Sequence, residues 1–416
     1  MNIAFFGSSL VSAYWNGAAT YYRGIIRALH ERGHRITFYE PDAYERQQHR
    51  DIDPPDWCEV VVYENAEDAA LAQIDAARGA DLIVKASGVG VFDTLLEAAV
   101  LDLKRASNTV VFWDVDAPAT LERVETDTSD PFRHLIPRYD LVFTYGGGPP
   151  VIAHYERLGA RACIPIYNAL DPATHFPVPA KAGFQADLAF LGNRLPDREA
   201  RVEEFFLRAA ELAPENSFLL GGSGWGDKGM PSNVRHLGHV GTGDHNAFNC
   251  TPRAVLNISR ESMARYGFSP ATRVFEAAGA AACLITDAWE GIAEFFEPEL
   301  ELLVAHDGAE VARVLGELTP ERARAIGQAA YRRAHAEHTY AHRAEEVERV
   351  LEGREAAGRE RGACGGPNIE RRTSNIEHRR EESPREALSH SAFDVRCSMF
   401  DVEPAAGRPP HRGDVP

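Results

Sequence analysis

Residues 2–39 read NIAFFGSSLVSAYWNGAATYYRGIIRALHERGHRITFY. The first five residues, Asn2–Phe6, have the pattern of a buried strand, and a glycine-containing loop follows them. Apolar residues at helical spacing then predict a helix over Thr20–Arg32, and Arg35–Tyr39 has a second strand pattern. A strand, a helix and another strand in this order are the unit from which parallel sheets are built.

The same alternation continues along the chain. Further strand patterns lie at Glu59–Tyr63, Asp81–Val84, Thr109–Trp113 and Asp140–Thr144. A proline-rich stretch then interrupts the pattern, and a second series has strands at Asp187–Leu191, Ser217–Leu220, Ala254–Ile258, Ala282–Thr286 and Leu300–Ala305. The sequence therefore predicts an α/β fold with two doubly wound domains and a ligand cleft between them.

These patterns set the predicted domain boundaries. The N-terminal domain covers 1–170, a linker covers 171–184, and the C-terminal domain covers 185–319. A long helical pattern at 320–352 predicts closing helices. Residues 353–416 are rich in Arg, Glu, Gly and Pro and poor in aliphatic residues, so we expect a disordered tail.

The composition narrows the class of partner. The chain of 416 residues carries a formal net charge of −18, which repels phosphate backbones and makes nucleic acid an unexpected partner. It has only four lysines, so contacts to phosphate have to rest on arginine and on backbone N–H groups. No apolar run is long enough for a transmembrane segment, and the start lacks a basic signal-peptide region. We therefore expect a cytoplasmic protein.

Residues 273–296 read RVFEAAGAAACLITDAWEGIAEFF and carry the strongest chemical signal. A carboxylate at Glu276, facing a cleft from a helix, can accept hydrogen bonds from two ribose hydroxyls. Backbone N–H groups around Gly291, at the next helix start, suit a diphosphate. The alternative is that Glu276 only offsets a helix dipole.

Several separated motifs resemble those of the CgeB-like glycosyltransferases, the group named after a spore-maturation protein. They are FWDVDAP (112–118), YDLVFTYGGGPPVIAHYERLGA (139–160), ADLAFLGNRLPDR (186–198), the segment 273–296 and HTYAHRAEEVERVL (338–351). The resemblance implies the GT-B fold, with two Rossmann-like doubly wound domains facing a cleft and a C-terminal helix crossing back. It also implies a retaining glycosyltransferase that takes a nucleotide-sugar donor and an unknown acceptor, and needs neither a metal nor another cofactor.

The resemblance also assigns residues. Glu276 matches the ribose-binding glutamate, and Gly291 matches the glycine of a loop near the diphosphate. The loop near the donor phosphates is matched by Gly192, Asn193, Arg194 and Arg198. Two positions depart from the pattern: Phe268 stands where related retaining enzymes often carry a second glutamate, and Ala281 where a glycine is usual. The first departure leaves recognition of the donor sugar unassigned.

Four arginines are candidates for contacting the donor phosphates, namely Arg194, Arg198, Arg260 and Arg273. A guanidinium can hold a diphosphate through two parallel hydrogen bonds and stabilise the charge that develops as the sugar leaves. Arg273 is therefore also a candidate catalytic residue. The alternative for each is an ordinary surface salt bridge.

Asp114 and Asp116 follow a predicted strand and allow three interpretations. An Asp-x-Asp at a strand end is what metal-dependent GT-A glycosyltransferases use to hold a divalent cation. In a GT-B fold, either carboxylate could instead orient or deprotonate an acceptor hydroxyl as a catalytic residue. The third interpretation is that a carboxylate caps the following helix.

Two glycine-rich loops complete the candidate site. The backbone at Gly17, before the first helix, could approach the donor or the acceptor, although no GxGxxG fingerprint is present. Trp225, in the loop after Ser217–Leu220, is a candidate for stacking on the nucleotide base or is simply a packed loop residue.

Two other functions fit the same fold. A nucleotide-sugar epimerase uses the two-domain plan without an acceptor. A non-catalytic nucleotide- or sugar-binding protein would retain the fold without turnover. Release of free nucleoside diphosphate separates an enzyme from a binder, and interconversion of two nucleotide sugars identifies an epimerase.

Overall fold

The computed structural model describes residues 1–14 and 16–363. Residues 1–350 form one compact unit, and this unit contains two sheets. The strands of the first sheet are β1 (Asn2–Phe6), β2 (Arg35–Pro41), β3 (Glu59–Tyr63), β4 (Leu82–Ala86), β5 (Thr109–Asp114), β6 (Leu141–Thr144) and β7 (Cys163–Pro165). Its helices are α1 (Ala19–Glu31), α2 (Glu67–Ala76), α3 (Asp93–Ala99), α4 (Ala117–Thr126), α5 (Pro131–Leu135) and α6 (Gly148–Arg157).

The second sheet has the same plan. Its strands are β8 (Leu188–Leu191), β9 (Phe218–Gly221), β10 (Val234–Gly238), β11 (Ala254–Asn257), β12 (Leu284–Asp287) and β13 (Leu303–Ala305). Its helices are α7 (Pro196–Val202), α8 (Arg208–Leu212), α9 (His245–Cys250), α10 (Glu261–Tyr266), α11 (Thr272–Gly279) and α12 (Gly308–Glu317). A π-helical turn, Glu203–Leu207, joins α7 to α8. The chain then continues into α13 (Pro320–Glu337) and α14 (Tyr340–Ala363).

All neighbouring strands of both sheets pair in parallel. The strand order is β3-β2-β1-β4-β5-β6-β7 in the first sheet and β10-β9-β8-β11-β12-β13 in the second. The order reverses between β1 and β4 and again between β8 and β11. Ligands of doubly wound sheets bind outside the carboxyl ends of the strands at such reversals, so each domain has one expected binding edge.

The central strands are buried from both faces, as a sheet covered by helices on both sides requires. Four of the five residues of β1 are buried and so is all of β4, including Lys85. The Lys85 ammonium donates to an Asp93 carboxylate oxygen at 2.6 Å, so this buried charge has a partner.

The last two helices return the chain to the first domain. Between α13 and α14, Leu170 receives a hydrogen bond from the backbone N–H of Tyr340 (3.0 Å) and donates its own N–H to His338 (2.7 Å). The Tyr340 ring then packs on Gly24 of α1, where a Cβ would lie 2.2 Å from the nearest ring carbons. Further along α14, Glu348 pairs with Arg32 and His34. These contacts confirm the predicted helix that crosses back.

The two doubly wound domains were predicted correctly, and Asn2–Phe6 and Glu59–Tyr63 are strands with the predicted ends. The sequence missed β7 and β10, and the closing pattern contains two helices, α13 and α14. The last helix extends beyond residue 352, into the segment predicted as a tail. Residues 364–416, the remainder of that predicted tail, lie outside the described residues. Within the described part of the chain, no helix is long and apolar enough to cross a membrane.

Substituting Gly24 tests the packing of the returning helix. Gly24→Ala places a methyl group inside the Tyr340 ring, so we expect the free energy of unfolding to fall by about 1–3 kcal/mol, the usual cost of overpacking. Urea denaturation followed by circular dichroism measures the change. The matched control is Gly316→Ala, a helical glycine with no atom within 4 Å of the added methyl, which should be neutral or stabilising. Equal effects of the two substitutions would contradict the packing described here.

Candidate functional site

The binding edge of the second domain is formed by the loops that follow β8 and β11. Gly192 follows β8, and Arg260 follows β11. On the first domain, Asp116 follows β5 and Tyr145 follows β6. Arg260 connects the two edges, because its Nη1 lies 3.2 Å from Oδ2 of Asp116. The carboxyl ends of both sheets therefore face each other at this ion pair.

Two arginines lie beside one aromatic ring at this edge. The guanidinium carbons of Arg198 and Arg273 lie 5.7 Å and 5.2 Å from the centre of the Phe190 ring. Burial and the nearby positive charges of Arg273 and Arg260 together lower the pKa of Arg198 to about 10, and the Asp197 carboxylate only partly opposes this shift. Arg198 donates one hydrogen bond, to the backbone oxygen of Asn193 at 2.7 Å. The two guanidiniums therefore repel each other in an enclosed place.

Arg273 has no direct counterion. The side chain is half-buried, and among the residues that the structure describes none accepts a hydrogen bond from it or forms an ion pair with it within 4.0 Å. Burial lowers the pKa of Arg273, and the more distant carboxylates of Glu276 and Asp287 oppose this shift. A half-buried cation without a direct partner is a candidate position for an anionic ligand.

Arg260 and Arg194 differ from these two because carboxylates already hold them. Burial disfavours the charge on Arg260, but the carboxylates of Asp116 and Asp197, with which it pairs, raise its pKa. Arg194 is paired with Glu199 (2.6 Å) and Asp227 (2.9 Å) on the other side of its loop. The structure therefore gathers three of the four predicted arginines and places Arg194 in a separate salt-bridge group.

Gly192 is the glycine that allows this arrangement. A Cβ at this position would lie 2.9 Å from both the Arg198 guanidinium and the Phe190 ring. The Gly192 oxygen accepts a hydrogen bond from the indole nitrogen of Trp225 at 2.8 Å. Trp225 is buried in the core of the second domain, which agrees with the interpretation of this tryptophan as a packed loop residue. The Asn193 side chain accepts a hydrogen bond from the backbone of Ser223 at 2.9 Å and so fixes the same loop.

Glu276 lies on α11, one turn after Arg273. Its side chain is 20% exposed, and Oε1 is 3.9 Å from Nε2 of His175. Burial lowers the pKa of the neighbouring His245, and the Glu276 carboxylate opposes this shift. No described residue donates a hydrogen bond to the Glu276 carboxylate, so its oxygens are available to ligand hydroxyl groups.

Asp114 and Asp116 have different environments. Asp114 is fully buried and accepts hydrogen bonds from Ser87 (2.7 Å), Thr120 (3.0 Å) and the hydroxyl of Tyr155. Burial raises the pKa of Asp114, and the hydrogen bonds from Tyr155 and Ser87 only partly oppose the shift. Asp114 also accepts from the backbone N–H of Asp116 (3.0 Å), but it satisfies no first-turn backbone N–H of α4, and the N-cap residue Asp116 makes no side-chain cap hydrogen bond, so the capping interpretation is wrong. The predicted catalytic role of Asp114 remains a prediction.

The Asp116 side chain is 14% exposed and points toward the second domain. Oδ2 faces Arg260, whereas Oδ1 is buried and has no hydrogen-bond partner among the described residues. A buried acceptor without a partner is rare in proteins. Of the two predicted aspartates, Asp116 is therefore the one placed to bind a substrate hydroxyl.

Gly291 and Gly17 occupy the remaining predicted positions. Gly291 has a φ of +87°, and a Cβ there would lie 2.1 Å from the Phe268 ring. Phe268 also reaches the first domain, since its oxygen accepts a hydrogen bond from the backbone N–H of Gly147 at 2.8 Å and its side chain covers Gly148. This phenyl ring fills the space where the resemblance places a glutamate. Gly17 is exposed ahead of α1 and remains a predicted contact.

Sequence reasoning did not identify Phe190, Asp197 or Tyr145 as part of the site. Tyr145 directly follows the predicted strand 140–144, so the rule that strand ends carry function would have found it. Phe190 and Asp197 could not be identified, because their contacts depend on the directions of three arginine side chains.

Two Rossmann-like parallel-sheet domains with facing carboxyl edges and a returning C-terminal helix define the GT-B fold of glycosyltransferases. Solved GT-B structures match it over most of the chain. Anabaena HepE in complex with UDP and glucose has a TM-score of 0.60 at 15% identity, covering 85% of this chain and 100% of that one. Sucrose-phosphate synthase from Thermosynechococcus elongatus has a TM-score of 0.61 at 14% identity, covering 86% and 100%.

A third solved structure is the phage T4 glucosyltransferase BGT in complex with UDP-glucose, with a TM-score of 0.52 at 12% identity, covering 84% of this chain and 99% of that one. In sequence, residues 198–349 match the family model described as glycosyl transferase-like. No curated protein sequence matches the chain.

The GT-B fold overturns the GT-A interpretation of Asp114 and Asp116, which required the nucleotide in the first domain. Across the described residues, no group of three or more His, Cys, Asp or Glu side chains is arranged to hold a metal ion.

The hydrogen bond from Tyr155 to Asp114 gives a test of the first-domain edge. Tyr155→Phe leaves a fully buried carboxylate without one of its donors, so we expect the free energy of unfolding to fall by about 1–3 kcal/mol. Urea denaturation measures this. The control is Tyr63→Phe, which removes a buried hydroxyl without a hydrogen-bond partner among the described residues and should be neutral or stabilising. A neutral Tyr155→Phe would show that Asp114 does not depend on this hydroxyl.

Proposed function

We propose that the protein is a glycosyltransferase that transfers a sugar from a nucleotide-diphosphate sugar to an acceptor hydroxyl. The observation that carries the proposal is the pair Arg198 and Arg273, which lie beside Phe190 at the strand-order reversal of the second domain without a direct carboxylate partner in the described structure. The GT-B fold and the family match over residues 198–349 support the same class of reaction.

A diphosphate suits this pair for electrostatic reasons. Two enclosed guanidiniums destabilise each other, and a ligand with at least two negative charges relieves the repulsion at both. Each guanidinium can donate two parallel hydrogen bonds to phosphate oxygens. The same contacts stabilise the diphosphate when the bond to the sugar breaks, because negative charge then builds up on its terminal oxygen. In this proposal the arginines take the part that a metal ion plays in other glycosyltransferases.

The nucleoside lies on the Glu276 side of the arginines. Glu276 is one helical turn from Arg273, and its carboxylate oxygens can accept hydrogen bonds from the two ribose hydroxyls. We propose uridine as the base, because the HepE and T4 structures are complexes with UDP or UDP-glucose.

The acceptor lies on the first-domain side. Asp116 can orient the acceptor hydroxyl. For retention, the acceptor oxygen bonds to the anomeric carbon on the face from which the diphosphate leaves. The bond from that carbon to the diphosphate oxygen breaks, and this oxygen takes the proton of the acceptor hydroxyl. The proposal further includes membership of the CgeB-like group, retention of configuration, independence from metals and other cofactors, and a cytoplasmic location. The acceptor is a glycan, a protein or a small molecule and not nucleic acid, since the net charge of −18 opposes binding to a phosphate backbone.

A thermal-shift screen against UDP, GDP, ADP, dTDP and CMP, each with EDTA and with Mn²⁺, tests the donor site. We expect UDP to raise the melting temperature by several degrees in EDTA. A rise that requires Mn²⁺ would contradict metal independence, and no rise with any nucleotide would contradict the donor site. Incubation with UDP-sugars then separates the three functions. A transferase slowly hydrolyses the UDP-sugar and releases free UDP, and an epimerase interconverts two UDP-sugars. A non-catalytic binding protein does neither.

Arg273→Gln tests the diphosphate contact. Loss of a charged donor to phosphate should weaken UDP binding by about 1.5–3 kcal/mol, roughly 10- to 150-fold in Kd by calorimetry. The control is Arg253→Gln, which removes a guanidinium paired with Asp187 at the amino ends of the strands and should leave the Kd within about twofold. Equal Kd values for the two variants would contradict the assignment.

Glu276→Ala tests the ribose contact. The wild type should bind UDP more tightly than 2′-deoxy-UDP by about 1–2 kcal/mol, because the deoxy ligand lacks one hydrogen-bond donor to the carboxylate. Glu276→Ala should weaken UDP and remove the difference between the two ligands, since the missing hydroxyl then has no partner to lose. A preference for UDP that survives the substitution would place the ribose elsewhere.

A further inference from the structure

Tyr145 lies at the carboxyl end of β6, which pairs with β5, the strand that Asp116 follows. Its backbone N–H donates to the Asp114 oxygen at 3.1 Å, and its ring packs against the Tyr21 ring at 5.7 Å between centres. Tyr21 is itself fixed, because its hydroxyl donates to the Ile166 oxygen at 2.7 Å and accepts from Trp113 at 2.9 Å. The position of the Tyr145 ring is therefore set by rigid neighbours.

Two polar groups at this edge have no hydrogen-bond partner within the described part of the chain. They are the Tyr145 hydroxyl and Oδ1 of Asp116. Burial raises the pKa of Tyr145, and the Asp116 carboxylate raises it further, so the hydroxyl remains protonated and can donate. A ligand hydroxyl group can accept a hydrogen bond from the Tyr145 hydroxyl or donate one to Oδ1 of Asp116, so it suits both groups.

The position of Tyr145 and Asp116 relative to the arginines indicates which part of the ligand they contact. Arg260 pairs with Asp116 at 3.2 Å and also with Asp197, the residue directly before Arg198. A group attached to a phosphate on these arginines therefore emerges beside Asp116 and Tyr145. In a nucleotide sugar that group is the sugar to be transferred.

We propose that Tyr145 and Oδ1 of Asp116 bind hydroxyl groups of the transferred sugar, and that Tyr145 thereby helps to select the donor. The inference rests on the proposed function, since it needs the diphosphate on the arginines. Tyr145 would also provide a polar contact to the donor sugar, whereas Phe268 fills the space between Gly148 and Gly291 with an apolar ring.

Calorimetry with the full-length protein tests the proposal without an acceptor. The ligands are UDP, UDP-glucose, UDP-galactose, UDP-N-acetylglucosamine and UDP-xylose, and the measured quantity is the ratio of the Kd for UDP to that for each UDP-sugar. We expect at least one UDP-sugar to bind the wild type more tightly than UDP. Tyr145→Phe should reduce that ratio about five- to tenfold and leave the Kd for UDP within about twofold.

The control is Tyr266→Phe, a half-buried tyrosine of the same interface whose ring lies 5.9 Å from that of His154. It should leave every ratio unchanged. Unchanged ratios in Tyr145→Phe would overturn the proposal and assign the hydroxyl to the acceptor, and an equal loss for UDP and UDP-sugars would give Tyr145 a purely structural role. A wild type that binds no UDP-sugar more tightly than UDP would overturn it as well. Failure of UDP itself to bind would instead contradict the proposed function.

Discussion

The repulsion between Arg198 and Arg273 is the constraint on which the proposed donor site depends. Both guanidiniums lie within 6 Å of the Phe190 ring centre, and burial lowers the pKa of each. Such a pair needs support from the surrounding fold, and in the proposed function the diphosphate supplies the missing negative charge. The parallel sheet provides that support, because Gly192 and Arg260 follow adjacent strands and bring their loops to one edge.

Contacts between the two domains hold the opposite edge in place. Arg260 pairs with Asp116, Phe268 packs between Gly148 and Gly291, and the returning helix packs Tyr340 on Gly24. The two ring contacts require glycines, because a Cβ would occupy the space of the ring. The domain arrangement thus places a carboxylate and a phenol of the first domain opposite the cations of the second. Such a layout suits a donor that bridges the two domains.

Much of the fold could be predicted from the sequence, since apolar runs such as Asn2–Phe6 are buried strands. The missed strand β7 has only three residues and ends at Pro165, and β10 is half-exposed and polar, so neither shows a strong pattern. The candidate site was harder to predict from the sequence. The sequence identifies arginines near strand ends, but only packing decides that Arg194 turns to Glu199 and Asp227 while Arg273 remains without a direct carboxylate.

The same limit applies to the aspartates. An Asp-x-Asp pattern does not show which carboxylate is enclosed by Ser87, Thr120 and Tyr155 and which one faces the other domain. The structure separates them by their surroundings. Asp114 organises the loop, and Asp116 presents an oxygen without a partner among the described residues.

A crystal structure of the protein soaked with UDP in the presence of EDTA tests the central claim most directly. We expect phosphate oxygens within hydrogen-bond distance of the guanidiniums of both Arg198 and Arg273, with the ribose toward Glu276. A nucleotide bound elsewhere, or a diphosphate whose oxygens contact neither arginine, would contradict it.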